Sequence, residues 1–241
     1  MCIFKKFIAL ITTAVISASS IAEDYFPGTF EAEYALYSMG AKIAWMHRMF
    51  SKSDNGEFNY RSETRVAGLL SLFRKDHVIE ESNWSLEGGT IKPLRYIYTH
   101  TGTKKERNVD IRFNWESGQI TNSVNGSSWH MATRPGILDK LVYQLAIMRD
   151  LKMGKSPLEY AVADGGKVKI YDFELLGEEI LKTPLGELHT LKLTRHKPNS
   201  RRETTLWCAS ELHYLPVRVE NIEKDGRKTI AVINSLTGLQ H

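Results

Sequence analysis

Cysteine is almost absent: of two in 241 residues, Cys2 stands at the very start and only Cys208 lies in the body of the chain. A single thiol excludes an intramolecular disulfide and a thiolate metal cluster, so stability has to come from an apolar core. Cys208 follows an apolar strand in Trp207-Cys208-Ala209 and reads as a buried, inert thiol, with a reactive or intermolecular one as the alternative. Proline is scarce, at seven, and no Pro-, Gly- or Ser-rich linker divides the chain. No strict repeat is present, and beyond the first residues no apolar run could span a bilayer. Also missing are a Gly-x-Ser-x-Gly elbow, a phosphate-cradling glycine loop and a cysteine redox motif. The eight histidines are scattered, and no two have the close helical spacing of a zinc site. No catalytic residue, metal or cofactor is therefore assigned.

What is present begins with an export signal. Lys5 and Lys6 precede an apolar stretch from Phe7 to Ile16, and small residues lead to Ala22. This is the layout of a secretory signal peptide over residues 1–22, cleaved after Ala22, with a retained anchor as the alternative. The remaining 23–241 are expected to form a single β-rich periplasmic domain, soluble once the signal is removed. Without Lys5 and Lys6 the 32 Lys and Arg fall to thirty, against 28 Asp and Glu. Near neutrality, together with export, argues against a nucleic-acid partner.

Short alternating segments dominate the rest. Phe30, Ala32, Tyr34 and Leu36 share one side of a first strand, and Ile43, Trp45, His47 and Met49 continue the pattern after Met39-Gly40. Asn55-Gly56, Ser117-Gly118, Asn125-Gly126 and Asp164-Gly165-Gly166 are turn signals between such runs. About a dozen strands follow from this spacing. Alternation fails at Leu69, Leu70, Leu72 and Phe73, which read as a short helix, a tucked strand end or an exposed apolar flap at a cavity mouth.

One segment, Arg134 to Gly154, reads as a long helix, with Pro135 in its first turn and Gly154 just past its end. Leu138, Leu141, Val142, Leu145 and Met148 form an apolar stripe, and Tyr143, Ile147 and Leu151 lie opposite, the mark of an enclosed helix. Arg149 falls within the stripe and needs an answer for its charge: snorkelling, a carboxylate, or an anionic headgroup. Asp139 sits where the helix dipole favours an anion. The expected fold is mainly β (α+β): a strongly curved antiparallel sheet, an open barrel or β-spiral, wrapped around one central helix. A basic run, Lys192, Arg195, Lys197, Arg201 and Arg202, is either solvated loop charge or a patch for phosphate-bearing envelope lipids.

Several segments in order carry a family likeness: Phe30-Glu31-Ala32-Glu33-Tyr34, Pro93-Leu94-Arg95-Tyr96, Ile137-Leu138-Asp139-Lys140-Leu141-Val142-Tyr143-Gln144, Thr183-Pro184-Leu185-Gly186-Glu187-Leu188, and Leu206-Trp207 through Leu215-Pro216-Val217-Arg218-Val219-Glu220. Over most of Phe26 to Leu236 the chain resembles the bacterial exported family catalogued as domain of unknown function 3108. That family is similar in architecture to periplasmic β-spiral proteins and lipoprotein carriers, which implies a curved sheet holding a helix beside an apolar cavity. It implies no agreed activity. Lys140 departs from the small residue common at that place, so no role is carried over to it.

These observations favour a non-enzymatic periplasmic binding or envelope-maintenance protein with an apolar groove for a lipid or acyl-bearing ligand. Leu69, Leu70, Leu72 and Phe73 would be its flap and Leu138, Leu141, Val142, Leu145 and Met148 its floor, with Arg149 as a headgroup contact. Two alternatives stand beside it: a structural module that binds an envelope protein and has no cavity, and a hydrolase assembled from distant groups such as His100, His130 and Asp139.

Overall fold

The computed structural model describes residues 26–197 and 200–239, so the anticipated signal peptide and its cleavage point lie outside the described residues. Fifteen strands build one large curved sheet that does not close: β1 (Phe30–Ser38), β2 (Ala41–Lys52), β3 (Phe58–Val66), β4 (His77–Glu87), β5 (Thr90–Thr101), β6 (Arg107–Asn114), β7 (Gln119–Val124), β8 (Ser127–Ala132), β9 (Ile137–Leu138), β10 (Leu158–Asp164), β11 (Lys167–Thr183), β12 (Gly186–His196), β13 (Glu203–Ala209), β14 (Leu215–Ile222) and β15 (Lys228–Thr237). Their order is β8-β7-β6-β5-β4-β3-β2-β1-β15-β14-β13-β12-β11-β10-β9. The first and last long strands therefore meet in the middle, with Tyr34 opposite Ile233. All neighbours are antiparallel except β9 beside β10. The turn signals fall where they should, and Asn125 and the glycines of Asn55-Gly56, Ser117-Gly118, Asn125-Gly126 and Gly165-Gly166 take the positive φ that such turns demand.

Alternation buries one face. Phe58 and Tyr60 on β3, Phe50 on β2 and Trp84 on β4 point inward, and Phe58 stacks on Trp84 at 4.3 Å between ring centroids. Such a pair contributes about 1 kcal/mol beyond the area it buries. Cys208 is fully buried, and desolvation raises its thiol far above the ordinary range, as an inert core position requires.

The helix is shorter than its sequence pattern predicts. α1 spans Tyr143–Lys152, not 134–154, and Ile137 and Leu138 instead form β9, paired with Ala161 and Val162. Two effects end the helical pattern early. Gly136 takes φ +74°, and the Asp139 carboxylate accepts the N–H groups of Leu141 and Val142, both at 2.8 Å, a local alternative to helical bonding through residues 137–139. Gly154 does terminate the helix in the left-handed region. Tyr143, Leu145, Ala146, Ile147, Met148, Asp150 and Leu151 are all buried. The contacts of α1 and its entry come from widely separated strands: Arg48 of β2 donates to Gln144 at 2.7 Å, Ser82 of β4 donates to Asp139, and the Tyr143 ring meets Tyr171 of β11 edge-on at 5.1 Å.

Asp139 has no exposed surface, and burial pushes its carboxyl up to about 6, with Glu80 adding to the rise and the Ser82, Val142 and Leu141 hydrogen bonds opposing it. Its folded-state value thus exceeds the 3.8 of the ordinary group. The stability it contributes is complete below about 3.8 and is lost as pH rises through about 6, a loss approaching 3 kcal/mol by linkage. Asp139→Asn keeps an oxygen for the two amides and cannot ionise. The variant is expected to lose this fall in unfolding free energy between pH 4 and 7, measured by urea titration. A wild-type and variant difference that does not change with pH contradicts this assignment.

Candidate functional site

Consecutive strands of the antiparallel meander run in opposite directions, so the connections fall alternately at two ends of the sheet. One end gathers the turns at 39–40, 67–76, 102–106, 125–126, 165–166 and 223–227, residues 197 and 200–202 after β12, and the approach to α1 at 139–142. A cleft of about 610 Å³ opens there between Lys140, the β10–β11 turn and the ends of β12, β13 and β14. A second hollow of about 350 Å³ shares Lys140, Asp164, Lys169 and Arg202 with it and reaches across to Tyr96, Tyr98, Arg107, Val109 and Ile111 on β5 and β6. Together they form a mouth spanned by both arms of the sheet.

Its charge is one-sided. Arg107, Lys140, Lys169, Arg195, Lys197 and Arg202 face three carboxylates, Asp164, Glu203 and Glu223. Asp164 receives Lys169 at 2.6 Å, Lys140 at 3.9 Å and the Tyr171 hydroxyl at 3.1 Å. Burial opposes its ionisation, but the Lys169 hydrogen bond and the charges of Lys140 and Lys169 outweigh it and hold the carboxyl below its usual range. Arg202 pairs with Glu223 at 2.9 Å and His196 with Glu203 at 3.2 Å.

Three cations have no such answer. Among the described residues Arg107, Arg195 and Lys197 have no carboxylate within 4 Å. Arg195 sits over Tyr171, its guanidinium carbon 3.8 Å from the ring centroid and 5.8 Å from that of Phe173. Its Nε is buried with no hydrogen-bond partner, and its outer nitrogen reaches only Thr204 Oγ1 at 3.5 Å. The Tyr171 face holds the guanidinium without neutralising it, and N–H donors are left without a partner among the described residues. Beneath the mouth, Tyr96 donates to Glu80 at 2.5 Å, and burial drives its hydroxyl well above the ordinary tyrosine range.

The residues anticipated from sequence divide. The 3-10 helix Gly68–Leu72 contains Leu69, Leu70 and Leu72 and stands at the mouth end, where Leu72 is 73 % and Phe73 85 % exposed. Leu138, Leu141, Val142, Leu145 and Met148 are buried core, and neither hollow of the mouth is lined by them. Arg149 lies toward the other end. It donates to Asp150 at 2.9 and 3.0 Å and to the Gly89 carbonyl at 3.3 Å, and sits 5.6 Å from the Phe26 ring. Its charge is thus answered by a carboxylate, one of the outcomes foreseen. The hydrolase candidates have separate partners: His100 contacts Asp76 at 3.2 Å, His130 contacts Thr121 at 3.1 Å, and Asp139 is sealed beneath Ser82. Of the mouth, the sequence flagged Arg195, Lys197 and Arg202. It missed Arg107, Lys140, Asp164, Lys169 and Tyr171, which assignment of the connections to alternate ends would have gathered.

Residues 29–232 match the family described as "Protein of unknown function (DUF3108)". No curated protein matches the sequence. Among solved structures, a β-barrel-like DUF1849 protein from Brucella abortus is similar in fold, with a TM-score of 0.56 at 10% identity over 88% of this chain and 98% of that one. A lipoprotein candidate from Parabacteroides distasonis gives 0.38 at 10% identity, with the same coverage, and MucB in the MucA/MucB complex of Pseudomonas aeruginosa gives 0.19 at 9% identity over 90% and 92%. Only the first likeness is close enough to bear on architecture.

The balance at Asp164 makes a checkable statement. With its folded pKa depressed, its stabilising contribution is present above the ordinary value of 3.8 and is lost as pH falls through the lower folded value. Asp164→Asn should lower the thermal midpoint at pH 7 and have little effect near the acid end of the unfolding curve. An equal loss at both pH values would assign the effect to packing instead.

Proposed function

The chain belongs to the DUF3108 family, whose function is unknown, and we propose that it is a non-enzymatic binding protein of the bacterial cell envelope that holds an acyl-bearing anion in the cationic mouth. The observation that carries this reading is the presence of three unanswered cations, Arg195 and Lys197 at the larger cleft and Arg107 at the adjoining hollow, whose lining includes Tyr96, Val109 and Ile111. The headgroup meets Arg195 and its neighbours, and the acyl portion lies along the aromatic and aliphatic wall, where burial yields about 25 cal/mol per Å² removed from water. The export signal read in residues 1–22 supplies the compartment, the periplasm.

A second reading, a module that binds an envelope protein, is favoured by one feature. Glu174–Thr183 of β11 pairs with β12 on one side, while its ladder with β10 stops at Phe173, and Leu175, Leu176 and Ile180 stand exposed along it. An extended peptide could add there.

Titration with monomeric dihexanoyl phosphatidic acid, followed by NMR or calorimetry, separates the two. Binding is expected to weaken with added salt, because screening acts within about 10 Å at 0.1 M, and to fall about tenfold in Arg195→Gln and in Lys140→Glu. Native mass spectrometry of protein from the periplasm, with solvent extraction, should then yield a stoichiometric anionic lipid. A bare mass together with no response to the phosphatidic acid would turn the assignment to the β11 edge.

A further inference from the structure

The mouth sits within a larger polarity of the molecule. Connections 67–76, 102–106, 139–142 and 223–227, with residues 197 and 200–202, hold ten Lys and Arg and, leaving aside the buried Asp139, four Asp and Glu. Those of the opposite end, 53–57, 115–118, 133–136, 153–157, 184–185 and 210–214, hold two and four. A nearly neutral protein is thus strongly basic at one pole.

The same pole carries the three most exposed large apolar side chains among the described residues: Met39 at 97 %, Phe73 at 85 % and Leu72 at 73 %. Met39 is on the β1–β2 turn, and Leu72 and Phe73 precede Arg74 and Lys75 on the β3–β4 connection. None of the three is needed for the core. They stand on two turns among the basic residues of this pole. A bilayer is the partner that accepts isolated apolar tips without shape complementarity while rewarding surrounding Lys and Arg through its anionic headgroups.

We propose that this pole docks on an anionic membrane surface, with Met39, Leu72 and Phe73 entering the headgroup layer and the surrounding cations resting on lipid phosphates. The docked orientation points the mouth at the bilayer, so a ligand would pass between membrane and cleft without crossing water. The docking itself rests on the composition of the rim and not on occupancy of the cleft.

The test is co-sedimentation of the protein with vesicles of phosphatidylglycerol and phosphatidylcholine, compared with phosphatidylcholine alone. The protein should pellet with the anionic vesicles at low salt and be released as screening increases. The double variant Leu72→Ser and Phe73→Ser should bind about tenfold more weakly while keeping wild-type affinity for dihexanoyl phosphatidic acid, which separates docking from ligand capture. Phe73→Trp should shift its emission to the blue on anionic vesicles. Met153→Ser, an exposed methionine at the opposite end, should bind as wild type does. The proposal is overturned if the protein stays in the supernatant with anionic vesicles at low salt, if it binds neutral vesicles equally, or if Met153→Ser weakens binding as much as the double variant.

Discussion

The buried carboxyl of Asp139 joins the sheet, the start of the helix and the edge of the mouth. It receives two successive backbone amides, of Leu141 and Val142, and the hydroxyl of Ser82 on β4, all away from solvent. Burial costs the carboxyl its ease of ionisation, the three hydrogen bonds restore part of it, and none of the three donors is left unpaired. The arrangement also decides what its neighbour does. With Asp139 held inward, Lys140 reaches the cleft and approaches Asp164, so that one residue of this segment seals the core and the next charges the mouth. Leu138, on the other side, is left to pair as strand beside Val162.

Electrostatics in the mouth follow from an inequality of number. Asp164 can neutralise Lys169 and part of Lys140, and Glu223 and Glu203 are committed to Arg202 and His196. Nothing comparable is left for Arg195. An aromatic face can hold a guanidinium in place without cancelling its charge, and Tyr171 does so here. The interior shows the same device in Arg48, buried 5.2 Å from the Tyr34 ring with its outer nitrogen on Gln144. Both arginines are held by neutral groups, and Arg195 lines the cleft.

The strands were readable because each obeys a local rule. A period of two with Asn-Gly, Asp-Gly-Gly or Ser-Gly turns needs no knowledge of the partner strand, and the hairpins formed accordingly. The helix was readable in kind and at its Gly154 end, but not at its beginning. An apolar stripe through Ile137 and Leu138 suits a helix as well as a buried strand, and the deciding contacts, with Ala161, Val162 and Ser82, come from far along the chain. The mouth was hidden for the same reason. Its members lie between Tyr96 and Glu223, and their common position depends on strand direction, not on spacing. Of the five apolar residues read as a floor, only Leu145 and Met148 lie on the helix; Leu138 is in β9, Leu141 and Val142 precede the helix, and all five are buried.

The pairing of β1 with β15 at the centre of the sheet has a consequence for how the molecule comes into being. β2 to β8 can form hairpin by hairpin, and so can β10 to β14, but the seam between these halves joins residues as distant as Glu33 and Asn234, whose side chains also share a hydrogen bond. Until the last strand arrives, β1 presents an open edge and the sheet has no continuity across its middle. Such long-range closure makes folding slow and places its decisive step after the fourteen other strands have been synthesised. A chain read as carrying an export signal is thereby kept from completing its sheet until β15 has been made.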